Sequence, residues 1–467
     1  MVIMHRKFLW GSATAAYQCE GAWNVDNKLL SKWDEFSHNP EKNIKGITGD
    51  ISCDFYHRFE EDIRMLKEGG QNSYRFSLSW TRIYNSETSE RNPEGIAFYN
   101  KILDTLERYE IEPFITLYHY DLPLSLSEKG GWENRDTAYA FLEYAKVCFE
   151  EFGKRVNFWT TINEPNYETF CCYGRGNYPP HFQDLGLRWR AMYHMLLGSA
   201  LSVKAYHHLN LKGNIGLVSD SYSIETLVDS KEYKEAAYWA DHFYNRCVND
   251  VCLKGTYSNK FIEKLKNDGY NLDYVKESDL DIFKEGIVDF LGVNAYDRVL
   301  VKPYVSGESI MVANNNGDGT RNETQIKNWF VLDEDNSTPK NAWGCEMYPQ
   351  AIYNLLTTLK EIYGDFPIII TENGLGYYDK LENGKVHDQY RIDFLEGTIQ
   401  WIKKALDDGI DVRGYFVWST MDLYSWINGY DKRYGLVYVD YNDKLKRIPK
   451  DSYYWYKNFI TSKGKDY

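Results

Sequence analysis

The stretches SYRFSLSW at Ser73–Trp80 and PFITLYH at Pro113–His119 decide the fold. Both are short, nearly continuous apolar runs rich in aromatic and β-branched residues, the pattern of parallel strands covered on both faces. Between them, in Ile96–Tyr109, Ile96, Tyr99, Ile102, Leu103 and Leu106 recur at helical spacing. Strand, helix and strand in this order make a parallel βαβ unit.

The same alternation extends in both directions. Further strand-like runs stand at Phe8–Trp10, Asn157–Asn163, Asn214–Ser219, Asp289–Tyr296, Pro367–Glu372 and Arg413–Ser419. In Asp54–Lys67 the residues Phe55, Phe59, Ile63 and Leu66 share one helical face, and Gly69-Gly70 ends the pattern. Asp393–Leu406 repeats the theme before the last strand. Eight such repeats predict an α/β chain folded as one (β/α)8 barrel over residues 1–467. Ser221–Lys284 is expected to be a long, mostly helical connection. Ser306–Lys340, which holds Asn314-Asn315-Asn316 and few aliphatics, is expected to be a long loop on the rim of the barrel.

Bulk properties narrow the function. The 467 residues are 43% hydrophobic and 26% charged, with a net charge of −14. That charge argues against nucleic acid or an anionic membrane as a partner. The N-terminal MVIMHRKFLWGSATAAYQ has too short an apolar stretch for a signal peptide, and no run reaches the roughly 18 apolar residues of a membrane span. Eight scattered cysteines form no CxxC pair and no zinc spacing. They suit buried thiols in a reducing compartment, so a cytoplasmic protein without metal is expected.

The polar residues at the strand ends carry the chemistry, because a barrel of this kind keeps its active site there. The fourth strand runs into Asn163-Glu164-Pro165 and the seventh into Thr371-Glu372-Asn373. Two carboxylates about 5–5.5 Å apart are what a retaining glycosidase needs, one as nucleophile and one as proton donor and then base. Spacing alone weighs this evenly against two ordinary loop glutamates. Other strand ends shift the balance: Arg75, His119, Asn294, Tyr296 and Trp418. An Arg within an apolar run needs a carboxylate partner. His and Asn read hydroxyls, and Trp offers a flat face to a pyranose ring.

The segments FLWGSATAAYQCEG, YRFSLSW, TLYHYDLP, TINEPN, GVNAY, ITENGLG and GYFVWSTMDLYSW resemble glycoside hydrolase family 1 over almost the whole chain. The resemblance implies a (β/α)8 barrel that works by retention with no metal or organic cofactor. It implies Glu164 as acid/base, Glu372 as nucleophile, and Arg75 and Tyr296 as the residues that orient Glu372. Gln18, His119 and Asn163 would hold sugar hydroxyls, and Trp418 would floor the sugar subsite. Two departures are visible. Tyr120 follows His119 where Trp or Phe is common, and Cys345 replaces a second Trp in Ala342–Glu346.

Beyond the eighth strand the chain reads SWINGYDKRYG from Ser425 to Gly435. Relatives acting on unphosphorylated sugars usually carry Glu where Ser425 stands. A 6-phosphate of roughly −1.5 to −2 charges would be repelled by that Glu. Ser425, Lys432 and Tyr434 resemble the phosphate site of the 6-phospho-β-galactosidases and 6-phospho-β-glucosidases, and Trp426 resembles the galactose-type members. The expected substrate is therefore a small 6-phosphorylated β-glycoside. The alternatives are a β-glucosidase or β-galactosidase for free sugars, opposed by Ser425, Lys432 and Tyr434, and a non-catalytic sugar-phosphate binder, opposed by the paired Glu164 and Glu372. A transglycosylase would share every one of these residues.

Overall fold

Eight parallel strands close into a barrel: β1 (Leu9–Ala13), β2 (Ser73–Ser77), β3 (Glu112–Tyr118), β4 (Phe158–Asn163), β5 (Asn214–Asp220), β6 (Phe290–Asn294), β7 (Ile368–Asn373) and β8 (Val412–Trp418). Each pairs in parallel with its sequence neighbours, and β8 pairs with β1. The computed structural model describes residues 7–43, 45–314, 322–464 and 467. The first six residues of the N-terminal stretch, and Asn315 and Asn316, lie outside the described residues.

The strands stand where the apolar runs place them, with small shifts. β1 begins at Leu9 and continues to Ala13, beyond the expected Trp10. β2 stops at Ser77, and Trp80 opens a short helix, Trp80–Ile83, instead of ending the strand. Helix α1 (Phe55–Glu68) buries Phe55, Ile63 and Leu66, and α2 (Pro93–Arg108) opens on Pro93, where a missing N–H costs nothing. The barrel closes tightly at β1. A Cβ on Gly11 would stand 2.5 Å from the Ser73 carbonyl oxygen and 2.6 Å from the Phe416 ring.

The barrel interior is graded from apolar to polar. The rings of Phe114, Phe158, Phe290 and Phe416 meet at centroid distances of 5.3 to 6.4 Å and fill its lower part. Further along the same strands come Thr116 and Thr160, hydrogen-bonded at 2.9 Å. The carboxylates and amides at the strand ends follow. Among the described residues no helix is long and apolar enough to cross a membrane. All eight cysteines are free, seven of them buried and Cys345 half-buried.

One expectation is corrected. Ser306–Lys340 is not an irregular loop. Its segments Ile310–Val312, Glu323–Ile326 and Phe330–Leu332 pair antiparallel and join Arg298–Pro303 and Ser223–Glu225 in a five-stranded sheet beside the barrel mouth. Arg298 ties this sheet down through Glu225 (3.0 Å), Asp335 (3.0 Å) and Glu346 (2.7 Å). Strands of three or four residues carry too few positions to show a period, and their pairing is set by partners far along the chain. The Ser221–Lys284 connection holds the helices Lys231–Asp241, Cys247–Lys254, Asn259–Asn267 and Asp279–Glu285, as expected.

A buried ionic network fixes the segment that follows β8. Lys450 Nζ reaches Asp422 at 2.7 Å and also pairs with Asp379, with all three side chains at most 1% exposed. Arg433 Nη1 donates to Asp422 at 2.7 Å, and Arg391 pairs with Asp379 at 3.0 Å and with Asp388. Removing one partner strands buried charges. Asp422→Ala should therefore cost about 3–5 kcal/mol in denaturant unfolding. Lys146→Ala, which loses only an exposed pair with Glu143, should change stability by at most about 1 kcal/mol. Equal, small effects would refute the structural role of the network.

Candidate active site

The strand ends and the loops above them enclose a cleft of about 860 Å³. Gln18, His119, Glu164, Tyr296, Glu372, Trp418, Ser425, Trp426, Lys432 and Tyr434 line it. Arg75, Asn163 and Asn294 lie beneath its floor, each at most 1% exposed. All the residues singled out in the sequence thus gather at one end of the barrel.

Arg75 organises the floor. Its Nε donates to Thr116 Oγ1 (3.1 Å), and Nη1 donates to the Thr371 carbonyl (3.2 Å) and to Glu372 Oε1 (2.5 Å). Nη2 donates to Asn163 Oδ1 at 2.7 Å. An arginine can only donate, so the polarity of the surrounding network follows from it. Asn163 presents its oxygen to Arg75 and hence its Nδ2 to His119 Nε2 at 3.3 Å. That contact makes Nε2 an acceptor and assigns the proton to Nδ1. Burial, and then the Arg75 charge, hold the His119 pKa well below its ordinary value, so the ring is neutral. Among the described residues its Nδ1 has no hydrogen-bond partner, and neither has Gln18 Oε1, while Gln18 Nε2 donates to the Tyr424 carbonyl at 2.7 Å. One unspent donor and one unspent acceptor on residues lining the cleft are what a sugar diol needs.

The two carboxylates sit in different surroundings. Glu372 is the penultimate residue of β7 and accepts from Arg75 and from the Tyr296 hydroxyl (2.6 Å). Burial, and then the Glu372 charge, keep the Tyr296 phenol protonated and donating. Glu164 follows β4 as the residue before Pro165, with a left-handed backbone at φ 45°. It accepts from Asn294 Nδ2 at 2.6 Å and from the Tyr120 hydroxyl, and among the described residues it makes no direct ion pair. Burial, and then repulsion from Glu372, push its pKa up to about 7, against the pull of Tyr120, Asn294 and Arg75. One carboxylate is thus paired with a guanidinium, and the other is poised to exchange a proton near neutrality.

Around them stand aromatic walls. His119 stacks on Trp418 at 5.7 Å and 12°. Trp426 is clasped by Tyr17, Trp33 and Tyr120 at 5.9, 4.4 and 5.2 Å. Lys432 Nζ lies over the rings of Trp343 (4.8 Å) and Tyr434 (5.4 Å) and makes no ion pair with a described carboxylate. Its neighbour Arg433 belongs to the buried network instead, spent on Asp422. Trp343 Nε1 donates to Asn428 Oδ1 (3.0 Å), and Asn428 Nδ2 reaches Ser425 Oγ at 3.4 Å. Asp297, pushed up to about 7 by burial and then by Glu346, also faces the cleft, as do Arg175 and Cys345.

Several members escape sequence reading. Thr371 hydrogen-bonds Asn294 Oδ1 at 2.7 Å and so braces the amide that touches Glu164. Trp343 and Asn428 anchor Ser425. Tyr120 is visible in sequence only as a hydroxyl in an aromatic position after the strand-end His119. What it touches depends on β4, some 40 residues away. Among the described residues no group of three or more His, Cys, Asp or Glu side chains could hold a metal ion.

The two environments predict a pH profile. Glu164 is protonated below about 7 and ionised above it. If the first step needs its proton, kcat/KM should fall on the alkaline side with an apparent pKa near 7, and Glu164→Gln should remove that limb. A flat profile from pH 6 to 9 would contradict the assignment.

Comparison with known proteins agrees with the fold. Residues 3–465 match the family described as Glycosyl hydrolase family 1. A 1,4-β-D-glucan glucohydrolase of Thermotoga neapolitana is 40% identical over 460 residues, covering 98% of both chains. A 6-phospho-β-galactosidase of Clostridium acetobutylicum is 37% identical over 463 residues, covering 98% of this chain and 96% of its own. The structure of a family 1 β-glucosidase from Thermotoga maritima superposes with a TM-score of 0.88 at 37% identity, covering 98% of each chain. The chain belongs to glycosyl hydrolase family 1 and is a β-glycosidase.

Proposed function

We propose that the protein hydrolyses 6-phosphorylated β-glycosides with retention, using Glu372 as nucleophile and Glu164 as acid/base. The observation that carries the phosphate reading is Lys432. It is a cation at the cleft wall that makes no direct ion pair with a described carboxylate, although it feels the more distant Asp297, and it stands beside Tyr434 in one short segment with Ser425. An ammonium without a direct carboxylate partner and two hydroxyls suit a phosphate dianion. A neutral C6 hydroxyl would give that charge no direct ionic partner.

Identity alone does not separate the phosphate and free-sugar readings, since relatives named for both kinds of activity match at 37–40%. The 40% identical glucan glucohydrolase favours the second reading, a free-sugar β-glucosidase. Ser425 favours the first, because the position offers no carboxylate to grip neutral hydroxyls and none to repel phosphate.

Catalysis then runs in two displacements. The Glu372 carboxylate, aligned by Arg75 and Tyr296, attacks the anomeric carbon while Glu164 gives its proton to the departing oxygen. Ester formation consumes the negative charge on Glu372. The repulsion that raised the Glu164 pKa disappears, and Glu164 becomes a carboxylate able to take a proton from the incoming water. Gln18 and His119 hold the sugar hydroxyls through their unspent groups, Asn163 orients His119, and Trp418 and Trp426 confine the ring.

Initial rates on the nitrophenyl β-galactoside and β-glucoside, each with and without a 6-phosphate, test this reading. Strong preference for the phosphorylated pair is expected, and the ratio within that pair reads the C4 preference. Lys432→Ala should lower kcat/KM on the phosphorylated substrates by about 10- to 100-fold, mostly through KM. Equal or faster turnover of the free sugars by the unmodified protein would overturn the phosphate reading and leave the two carboxylates in their roles.

A further inference from the structure

The hydroxyl of Tyr120 meets Glu164 on the carboxylate oxygen that Asn294 does not touch. Asn294 Nδ2 donates to Oε1 at 2.6 Å and to Asn163 Oδ1 at 3.2 Å. The second contact fixes its orientation, because Asn163 Oδ1 already accepts from Arg75. Flipping the Asn294 amide would set two oxygens face to face. Oε1 therefore accepts an N–H whatever the protonation state of Glu164, and that donor could never accept a hydrogen bond from a proton placed there. The exchangeable proton belongs on Oε2, where the partner is a hydroxyl that can donate or accept.

Tyr120 is held rigidly for this task. It is 2% exposed, and its ring lies 5.2 Å from Trp426, 5.0 Å from His119 and 6.2 Å from Tyr178. Its backbone is left-handed at φ 73°, as are those of Glu164 (45°) and Trp426 (35°). Such conformations are costly for residues with side chains and persist where the surroundings over-determine them. The acid/base candidate, the tyrosine on its oxygen and the indole against that tyrosine are thus all placed at some cost.

We propose that Tyr120 is the positioning residue of Glu164: its hydroxyl holds Oε2, the oxygen that carries the exchanged proton, and turns from donor to acceptor as Glu164 is protonated. The proposal rests on Glu164 being the acid/base. As a donor, Tyr120 stabilises the carboxylate that must accept a proton from water. As an acceptor, it keeps the acid's O–H hydrogen-bonded until the leaving oxygen arrives.

Two substitutions separate this role from packing. Tyr120→Phe keeps the ring and removes the hydroxyl, so the alkaline limb of kcat/KM should move upward by about one pH unit. Tyr120→Trp keeps a ring N–H that donates but cannot accept, so its limb should lie below that of the Phe variant. Thermal unfolding of both variants reports on the fold, and Tyr178→Phe, which alters the same ring cluster, should leave the limb in place. Limbs at the wild-type position in both Tyr120 variants would overturn the proposal, whatever happens to kcat. The premise is read separately. Azide should restore turnover of a nitrophenyl substrate to Glu164→Ala by attacking the glycosyl-enzyme. Absence of rescue would remove Glu164 as the acid/base, and the role of Tyr120 with it.

Discussion

A guanidinium buried inside a barrel is the constraint on which this site depends. Arg75 points from β2 into the interior at 1% exposure, where an unpaired charge would be prohibitive. Strands on the other sides of the barrel answer it with the Glu372 carboxylate, the Thr371 carbonyl, the Asn163 amide oxygen and the Thr116 hydroxyl. Because Arg75 only donates, each partner is forced to present an acceptor. The remaining groups of the network then point in defined directions: Asn163 toward His119, and Asn294 toward Glu164. A single fixed charge below the cleft thus sets the tautomer of one residue and the amide orientation of two others, before any substrate binds.

The same arrangement explains how two chemically identical side chains take different parts. Glu372 is bonded directly to Arg75 and Tyr296, whereas Glu164 is hydrogen-bonded by the neutral donors Tyr120 and Asn294, feels Arg75 only at a distance and has Glu372 as a repulsive neighbour. Removing the charge from either carboxylate changes the other, which couples the two displacements of a retaining reaction. On the proposed reading, Lys432 adds a second electrostatic element, at the wall of the cleft rather than its floor. Its positive charge offsets, locally, the net −14 that would repel an anionic substrate.

Much of this was legible in the chain. The barrel follows from alternation of apolar runs with helical periodicity, and the strand-end Glu164 and Glu372 stand out because each interrupts an apolar run where it stops. Arg75 was visible for the same reason, as a charge in SYRFSLSW that needed a partner. The rim sheet was not legible, since strands as short as Ile310–Val312 and Phe330–Leu332 carry no period and are built by pairing across distance. Nor was Arg433 separable from Lys432 in sequence. Only the fold shows the first spent on Asp422 and the second facing the cleft. The contacts of Tyr120, Thr371 and Trp343 likewise depend on residues far away in the chain.

The most direct measurement is to trap the glycosyl-enzyme. A 2-deoxy-2-fluoro β-glycosyl fluoride, prepared with and without a 6-phosphate, slows the second displacement and leaves the sugar on the nucleophile. Mass spectrometry of the digested protein should find the phosphorylated sugar on the peptide bearing Glu372, formed faster than the unphosphorylated adduct. A label on any other residue, or faster labelling by the unphosphorylated reagent, would contradict the account.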